Sequence, residues 1–482
     1  MDTVQQLREY FGEMTVYKDL QKTNFSALTL PSFMRDWLLK RFEDEDGKFN
    51  SEELSNFIKK NLPNKDDWKS IKDRIVNDRE RVKFLAKVCC DVSIATQEIT
   101  FALPDYGVSA RDTIIDRYVW DECKQDLLGS QDTWGVVELG YVPPETQASR
   151  GKIDLLGFKP FRPYTIDIDY YKKSRKEFKT SEWIDILLGA IDYNPAGYQD
   201  EKHKLTMLSR LLPFLEKRLN LIELAPKGTG KSYLYGRVSR FGWLSSGGVM
   251  SRAKMFYDMQ KKSEGLIANN DFVVLDEVQT LRFPEIDEMR GALKGYMENG
   301  TFTVGNYSGK SDAGVILSGN INEKIMNEFD NMFVELPEIF HESALMERFH
   351  GFIKGWDIPR LTNEMKICGW ALNSEYFTTI LHELRSEVGY RSIIDNVILV
   401  PPHSDERDTE AIKRIATAYL KLLFPHIQSL NDIGKDGLLT VMDFDRYCLR
   451  PAKKMRKIIK TQLGMLDTEY KGKDIPNIQV KQ

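Results

Sequence analysis

The feature that most constrains this chain is a short apolar strand, Leu221-Ile222-Glu223-Leu224, running straight into Ala225-Pro226-Lys227-Gly228-Thr229-Gly230-Lys231-Ser232. A helical stretch begins at Tyr233. Strand, small-residue loop and helix in this order form a phosphate-binding loop: backbone N–H groups close around phosphates, and the helix N-terminus adds its positive end. Lys231 is placed to reach the β- and γ-phosphates, and the Ser232 hydroxyl to ligate Mg2+. Ala225 stands where the G-x-x-x-x-G-K-[ST] pattern has its first glycine, while Gly228 to Ser232 is intact.

A second element repeats the message. Asp271-Phe272-Val273-Val274-Leu275-Asp276-Glu277 is a continuous apolar run ending in two acids, the signature of a buried parallel strand. Asp276 at its end is expected to hold Mg2+, and Glu277 to orient and polarise the attacking water. Val315-Ile316-Leu317-Ser318-Gly319-Asn320 is a further apolar strand, whose terminal Asn320 can hold that water against the γ-phosphate. ATP is the expected nucleotide, with GTP left open as the alternative, since the sequence carries no signature that settles the base. Glu298 to Gly305, followed by a polar turn from Asn306 to Asp312, predicts a protruding β-hairpin with Lys310 at its tip as a phosphate contact and Tyr307 beside the turn. Arg348, in Leu345-Met346-Glu347-Arg348-Phe349-His350, lies where a ring of subunits would carry it to a neighbour's γ-phosphate; the alternative is an intrachain ion pair.

The 482 residues exceed one compact core and predict two or three domains. No apolar run approaches the ~18–20 residues of a membrane span, and Met1 to Tyr17 lacks a secretory pattern. Cys89, Cys90, Cys123, Cys368 and Cys448 show no metal-ligand spacing, which fits a reducing, cytoplasmic setting. The net charge of −4 excludes a protein coated in positive charge but leaves room for local basic surfaces. Two runs are candidates: Lys172-Lys173-Ser174-Arg175-Lys176, and Lys453-Lys454-Met455-Arg456-Lys457 followed by Lys460. Short strands around 87–94, 98–103, 135–141 and 153–158 suggest a small barrel or sandwich. Helices are expected at Trp183–Ile191 and from about Tyr198 to Leu219.

The arrangement resembles the AAA+ superfamily, and the hairpin before the Asn320 strand resembles that of the MCM and Lon-related clades. The chain as a whole resembles the Lon-related AAA+ proteins of BREX phage-defence systems. The likeness runs through Tyr17-Lys18-Asp19-Leu20, Glu182 to Leu188, Leu221 to Ser232, Ser246-Gly247-Gly248, Asp276-Glu277-Val278, Gly319-Asn320-Ile321-Asn322, Gly355-Trp356-Asp357-Ile358-Pro359, Arg407-Asp408-Thr409 and Leu420 to Pro425. It implies a hexameric ring, with association of two rings, binding double-stranded DNA, acting in anti-phage defence with other BREX proteins and without a membrane. Carried onto matching positions, it makes Arg348 the arginine finger, Asn320 the first sensor and Arg407 the second sensor, with Arg414 as the fallback. Longer relatives carry a C-terminal Lon-like domain; this chain leaves no room for one after the helix near 455–466, so peptidase activity is not expected.

The fold expected is an α/β AAA+ P-loop core, a parallel sheet with flanking helices, over 221–365. A helical lid follows over 366–482, and a linker with a helical lead-in (166–220) precedes the core. Residues 1–165 are expected to form an α+β domain with a small β-barrel-like unit that binds DNA. Two other functions compete with a DNA-engaging ring ATPase: an ATP-dependent protein remodeller, and a nucleotide-gated scaffold acting with a partner protein. Gly247-Gly248-Val249-Met250-Ser251 lacks the aromatic of a threading pore loop, which disfavours the first; slow turnover unstimulated by any polymer would favour the second.

Overall fold

The computed structural model describes residues 2–21, 30–43, 51–63, 65–93, 97–128, 133–144, 150–162, 164–260, 262–435 and 437–481. The chain divides into two units. The larger takes Met1–Asn24, Leu28–Lys40 and Ile166–Gln482, and the smaller takes Phe25–Ala27 and Arg41–Thr165. The N-terminal segment contributes to the larger unit through β1 (Thr15–Asp19), which pairs antiparallel with Cys368–Leu372.

The smaller unit is built on β2 (Val82–Val92), β3 (Ile99–Ala102), β4 (Thr113–Ile115), β5 (Thr133–Val142) and β6 (Lys152–Pro160), in the order β3-β2-β5-β6-β4. Only the β4–β6 pairing is parallel. Alternate residues, Val82, Phe84, Ala86 and Val88 on β2 and Val137 and Leu139 on β5, point into one apolar core with Phe101, Ile115, Trp120 and Leu155, as the period of a half-buried strand requires. The sheet bends until its edges meet: the Thr113 hydroxyl accepts from the Phe101 amide at 3.0 Å and donates to the Phe101 carbonyl. A helix, Arg117–Leu128, connects β4 to β5.

The larger unit holds a five-stranded, all-parallel sheet of β7 (Leu221–Ala225), β8 (Gly242–Ser246), β11 (Phe272–Asp276), β14 (Gly314–Asn320) and β15 (Gly351–Lys354), ordered β15-β7-β14-β11-β8. Every residue of β7 and β11 is buried; β11 reads as a continuous apolar run up to Asp276, and β7 is apolar but for Glu223, which is paired with the buried Arg210. Two small hairpins accompany it, β9 (Tyr257–Asp258) with β10 (Ser263–Glu264), and β12 (Thr301–Val304) with β13 (Tyr307–Lys310). The chain then becomes mainly helical, with Ser374–Arg385, Gly389–Val397, Glu406–Leu423 and Arg450–Leu466. The last of these packs Ile458, Ile459 and Leu463 into the core beneath the sheet.

Three expectations are corrected. The helix expected from about Tyr198 to Leu219 is broken into Glu201–Leu208, a tight turn at Ser209–Leu211 and Leu212–Leu215, with extended backbone at Glu216. Pro213 has no N–H to continue a helical ladder and so sits in a first turn. The two basic runs are cationic surface only in part: Lys173, Lys176, Lys454 and Lys457 are exposed, and the rest turn inward. Arg175 is buried, donating to the carbonyls of Leu423 and Phe178, and Lys172 pairs with Glu387 at 2.9 Å. Arg456 and Lys460 are likewise buried on Asp408, each at 2.7 Å. Helical periodicity turns part of each run inward, where carboxylates and carbonyls consume the charge. Lys310 is at the foot of its hairpin, opposite Thr301; the turn is the two-residue Gly305-Asn306.

Candidate nucleotide site

β7 delivers the chain to Ala225, and a helix starts at Lys231. Between them Gly228 and Gly230 adopt φ values of +85° and +80°, the left-handed region that glycine alone enters freely. Space is equally decisive at Gly230, where a β-carbon would fall 2.4 Å from the Tyr193 hydroxyl and 2.8 Å from Leu361 Cδ1. The alanine at the loop's first position has a matching partner. A β-carbon on Gly355 would lie 2.1 Å from Ala225 Cβ, so Gly355 leaves the room that the Ala225 methyl occupies.

The sheet order sets β14 between β7 and β11, and all three end on one edge. The Ser232 hydroxyl donates to Asp276 Oδ2 at 2.6 Å, and the Ser318 hydroxyl, from β14, donates to Asp276 Oδ1 at 2.8 Å. Asp276 is buried, whereas Glu277 beside it is exposed and takes φ +47°. A non-glycine residue there costs about 1–3 kcal/mol, a strain that collects at functional sites. Gln279 donates to the Asn320 carbonyl at 2.5 Å, fastening the end of β14 to the turn after β11. Lys231 is buried, its Nζ 3.4 Å from the Ala225 carbonyl. Burial pulls its pKa below the usual lysine value, against the opposing pull of Glu223. Among the described residues no cluster of three or more His, Cys, Asp or Glu side chains could cage a metal. A hydroxyl–carboxylate pair at the edge of an anion-binding loop is nevertheless the protein share that Mg2+ takes, its remaining positions going to water and phosphate oxygens. Ser232 and Asp276 therefore fit that ion.

Two supports were invisible in the motif. Arg210 is fully buried beneath the loop. It pairs with Glu223 of β7 at 2.5 Å and donates to the Thr229 carbonyl at 2.8 Å and the Thr229 hydroxyl at 3.2 Å. Burial alone would lower the Arg210 pKa; Glu223 more than offsets this and holds it above its ordinary value. On the other side, the hydroxyl of Tyr233, next to Ser232, donates to Asp192 Oδ2 at 2.6 Å. Asp192 also meets Lys18 at 3.0 Å and Arg35 at 2.7 Å, all buried, so the N-terminal segment is wired to the first turn after the loop.

The arginines gather elsewhere. Arg348 pairs with Glu298 at 2.8 Å and donates to the Ala344 carbonyl. Arg407 pairs with Glu347 and reaches the same Glu298 at 3.5 Å. The two arginines thus share one acid, at the end of the helix Ile286–Asn299 that leads into β12. Arg414 donates to the Lys217 carbonyl at 2.7 Å and pairs with Glu410 at 3.0 Å. Tyr307 stacks on Tyr257, centroids 3.6 Å apart, and donates to Glu264 at 2.9 Å, so β9–β10 and β12–β13 are joined. His350 is half-buried and accepts from the Asn220 amide through Nδ1 at 2.9 Å; desolvation, with Arg414 and Arg456, depresses its pKa far below the usual value. No helix of the described residues is long and apolar enough to cross a membrane.

The sequence places these observations in a family. Residues 153–475 match the family described as Lon-like protease BrxL-like, ATPase domain, and residues 9–141 match BREX system Lon protease-like protein BrxL N-terminal. The chain is 26% identical over 466 residues to the "Lon-like protease BrxL" of Escherichia coli O9:H4 (strain HS), covering 95% of this chain and 64% of that protein. It is 25% identical over 466 residues to the "Lon-like protease BrxL" of Bacillus cereus (strain H3081.97), covering 95% and 67%. A likeness at 23% identity over 309 residues, 57% of this chain and 69% of the other, links it to "Uncharacterized protein ORF426" of Acidianus filamentous virus 1. The chain spans just under two thirds of the length of the Escherichia coli relative. With an ATPase-domain match over most of its length and the loop, acids and parallel sheet in register, this chain belongs to the BrxL family.

Proposed function

We propose that this chain is a Mg2+-dependent ATPase that assembles as a ring, binds double-stranded DNA and serves anti-phage defence. The observation that carries the catalytic part is the meeting of Ser232 and Asp276 at 2.6 Å on the sheet edge, with Glu277 exposed beside them. The amides of Gly228 to Ser232 and the Lys231 ammonium bind the phosphates. Ser232 and Asp276 would hold Mg2+, which when bound would supply charge neutralisation for the transferred phosphoryl group. Glu277 accepts a proton from the attacking water, and Asn320 aligns that water for in-line attack. Arg348 completes a neighbour's site: it is largely shielded, and its partner Glu298 is a half-exposed acid whose pairing is weak enough to exchange for phosphate. Arg407 accompanies it on the same acid, so we assign it to the neighbour's site as well, rather than to its own chain's loop.

The DNA reading rests on the family and on the smaller unit, which we read as a small barrel of the oligonucleotide-binding type. Its strand order β3-β2-β5-β6-β4, the parallel β4–β6 pairing and the helix between β4 and β5 support this. The test is anisotropy of a labelled duplex titrated with the protein, with and without ATP and Mg2+, at two salt concentrations, alongside phosphate release. Salt-sensitive duplex binding together with turnover abolished by Lys231→Ala supports the proposal. Turnover without duplex binding in either nucleotide state would remove DNA as the substrate.

A further inference from the structure

One cation beside the phosphate-binding loop has no role in this scheme. The segment after β15 returns over the loop, where the Leu361 amide donates to the Gly228 carbonyl at 2.8 Å. Arg360, immediately before it, lies across Gly228: a β-carbon there would fall 3.1 Å from Arg360 Nε and 3.2 Å from its Cγ. Glycine at 228 therefore serves two purposes, its left-handed turn and the close approach of this side chain. Other arginines near the loop are satisfied within the fold, Arg210 by Glu223 and Arg35 by Asp192. Arg360 is exposed, and among the described residues it makes no ion pair or hydrogen bond. A guanidinium held without a counter-charge against backbone amides that face an anion is arranged for that anion. Its planar fork of N–H donors matches phosphate oxygens.

We propose that Arg360 is a cis-acting nucleotide ligand, its guanidinium taking phosphate oxygens of the nucleotide held by Gly228–Ser232 of the same chain. This rests on the nucleotide reading above and extends it. Arg348 and Arg407 pair with Glu298, and Arg210 beneath the loop pairs with Glu223, which leaves Arg360 as an arginine at the loop with no ionic partner among the described residues. Because it sits over the loop, it acts on binding and not on the transferred group alone. Its removal weakens ATP and ADP alike.

The experiment is equilibrium binding of ATP and ADP to the full chain, wild type, Arg360→Ala, Arg360→Lys and Lys231→Ala, with turnover measured on the same preparations. The expected result is about a 10-fold or greater rise in Kd for both nucleotides in Arg360→Ala, partly recovered in Arg360→Lys, a change typical of losing a charge-assisted contact. The unliganded melting temperature should not move, since the side chain has no partner in the fold. Unchanged Kd values in Arg360→Ala, with Lys231→Ala impaired, would overturn the assignment and leave the nucleotide site standing. An equal rise accompanied by a lower unliganded melting temperature would also overturn it, marking a structural role. Absence of nucleotide binding by the wild type would remove both readings.

Discussion

Replacing Arg210 by methionine tests whether the loop is held from below. Arg210 and Glu223 are both wholly inaccessible to solvent. Taking away the guanidinium leaves a carboxylate inside the sheet whose one remaining hydrogen bond among the described residues comes from the Tyr235 hydroxyl at 3.3 Å. Breaking a buried pair in this way costs about 3–5 kcal/mol, whereas removing both charges is close to neutral. The double variant Arg210→Met with Glu223→Gln should therefore recover at least about 2 kcal/mol of the loss. Nucleotide affinity should behave otherwise, because the two Arg210 bonds to Thr229 are absent from both variants. The assay is urea unfolding monitored by tryptophan fluorescence, taking the transition that ATP shifts as that of the larger unit, together with ATP titration. Additive losses in the double variant, or a cost below about 1 kcal/mol for Arg210→Met, would refute the reasoning.

Three further outcomes are expected. Glu277→Gln should bind ATP as the wild type does while turnover falls by about 10²–10⁴-fold, as for loss of a general base; phosphate release against nucleotide binding checks it. Arg348→Ala should lower kcat by about 10³-fold or more with the ATP Kd unchanged, and mixing with Lys231→Ala subunits should restore turnover if the arginine acts in trans. Burial, aided by Arg175 and Lys176, depresses the His426 pKa to about 3, and His350 is depressed well below its usual value. Both are neutral in the fold and take up protons on unfolding, so their contribution is complete above about pH 6.5 and lost as pH falls below it, by about 1.4 kcal/mol per unit for each. Unfolding midpoints between pH 7 and 5.5 check this, and His426→Asn should flatten the slope.

The site was legible where its chemistry is contiguous. Ala225 to Ser232 and Phe272 to Glu277 each carry strand, turn and functional group in one stretch, so burial and periodicity announce them together. Arg210, Tyr193 and Arg360 act through folding alone: each is distant from the loop in sequence, and a lone arginine or tyrosine has no local pattern that marks it. The hairpin carries two competing turn signals. Gly305-Asn306 between Thr-Phe-Thr-Val and Tyr-Ser-Gly-Lys is a two-residue turn, and Ser308 to Asp312, as rich in turn-forming residues, lies just beyond it as the second strand and its exit. The basic runs misled because charge counts ignore which helical face turns inward. The contribution of β1 to the larger unit could not be read at all, since its partner strand lies at Cys368–Leu372.

A side chain at position 355 would meet more than the Ala225 methyl, 2.1 Å from its β-carbon: the Ala225 Cα and the Leu224 carbonyl oxygen would each lie 2.8 Å away. Those two atoms are backbone and have no rotamer with which to yield, so they remain whichever small residue opens the loop. The dependence between the two positions therefore runs one way. Among relatives, position 225 should exchange alanine with glycine while position 355 stays glycine throughout.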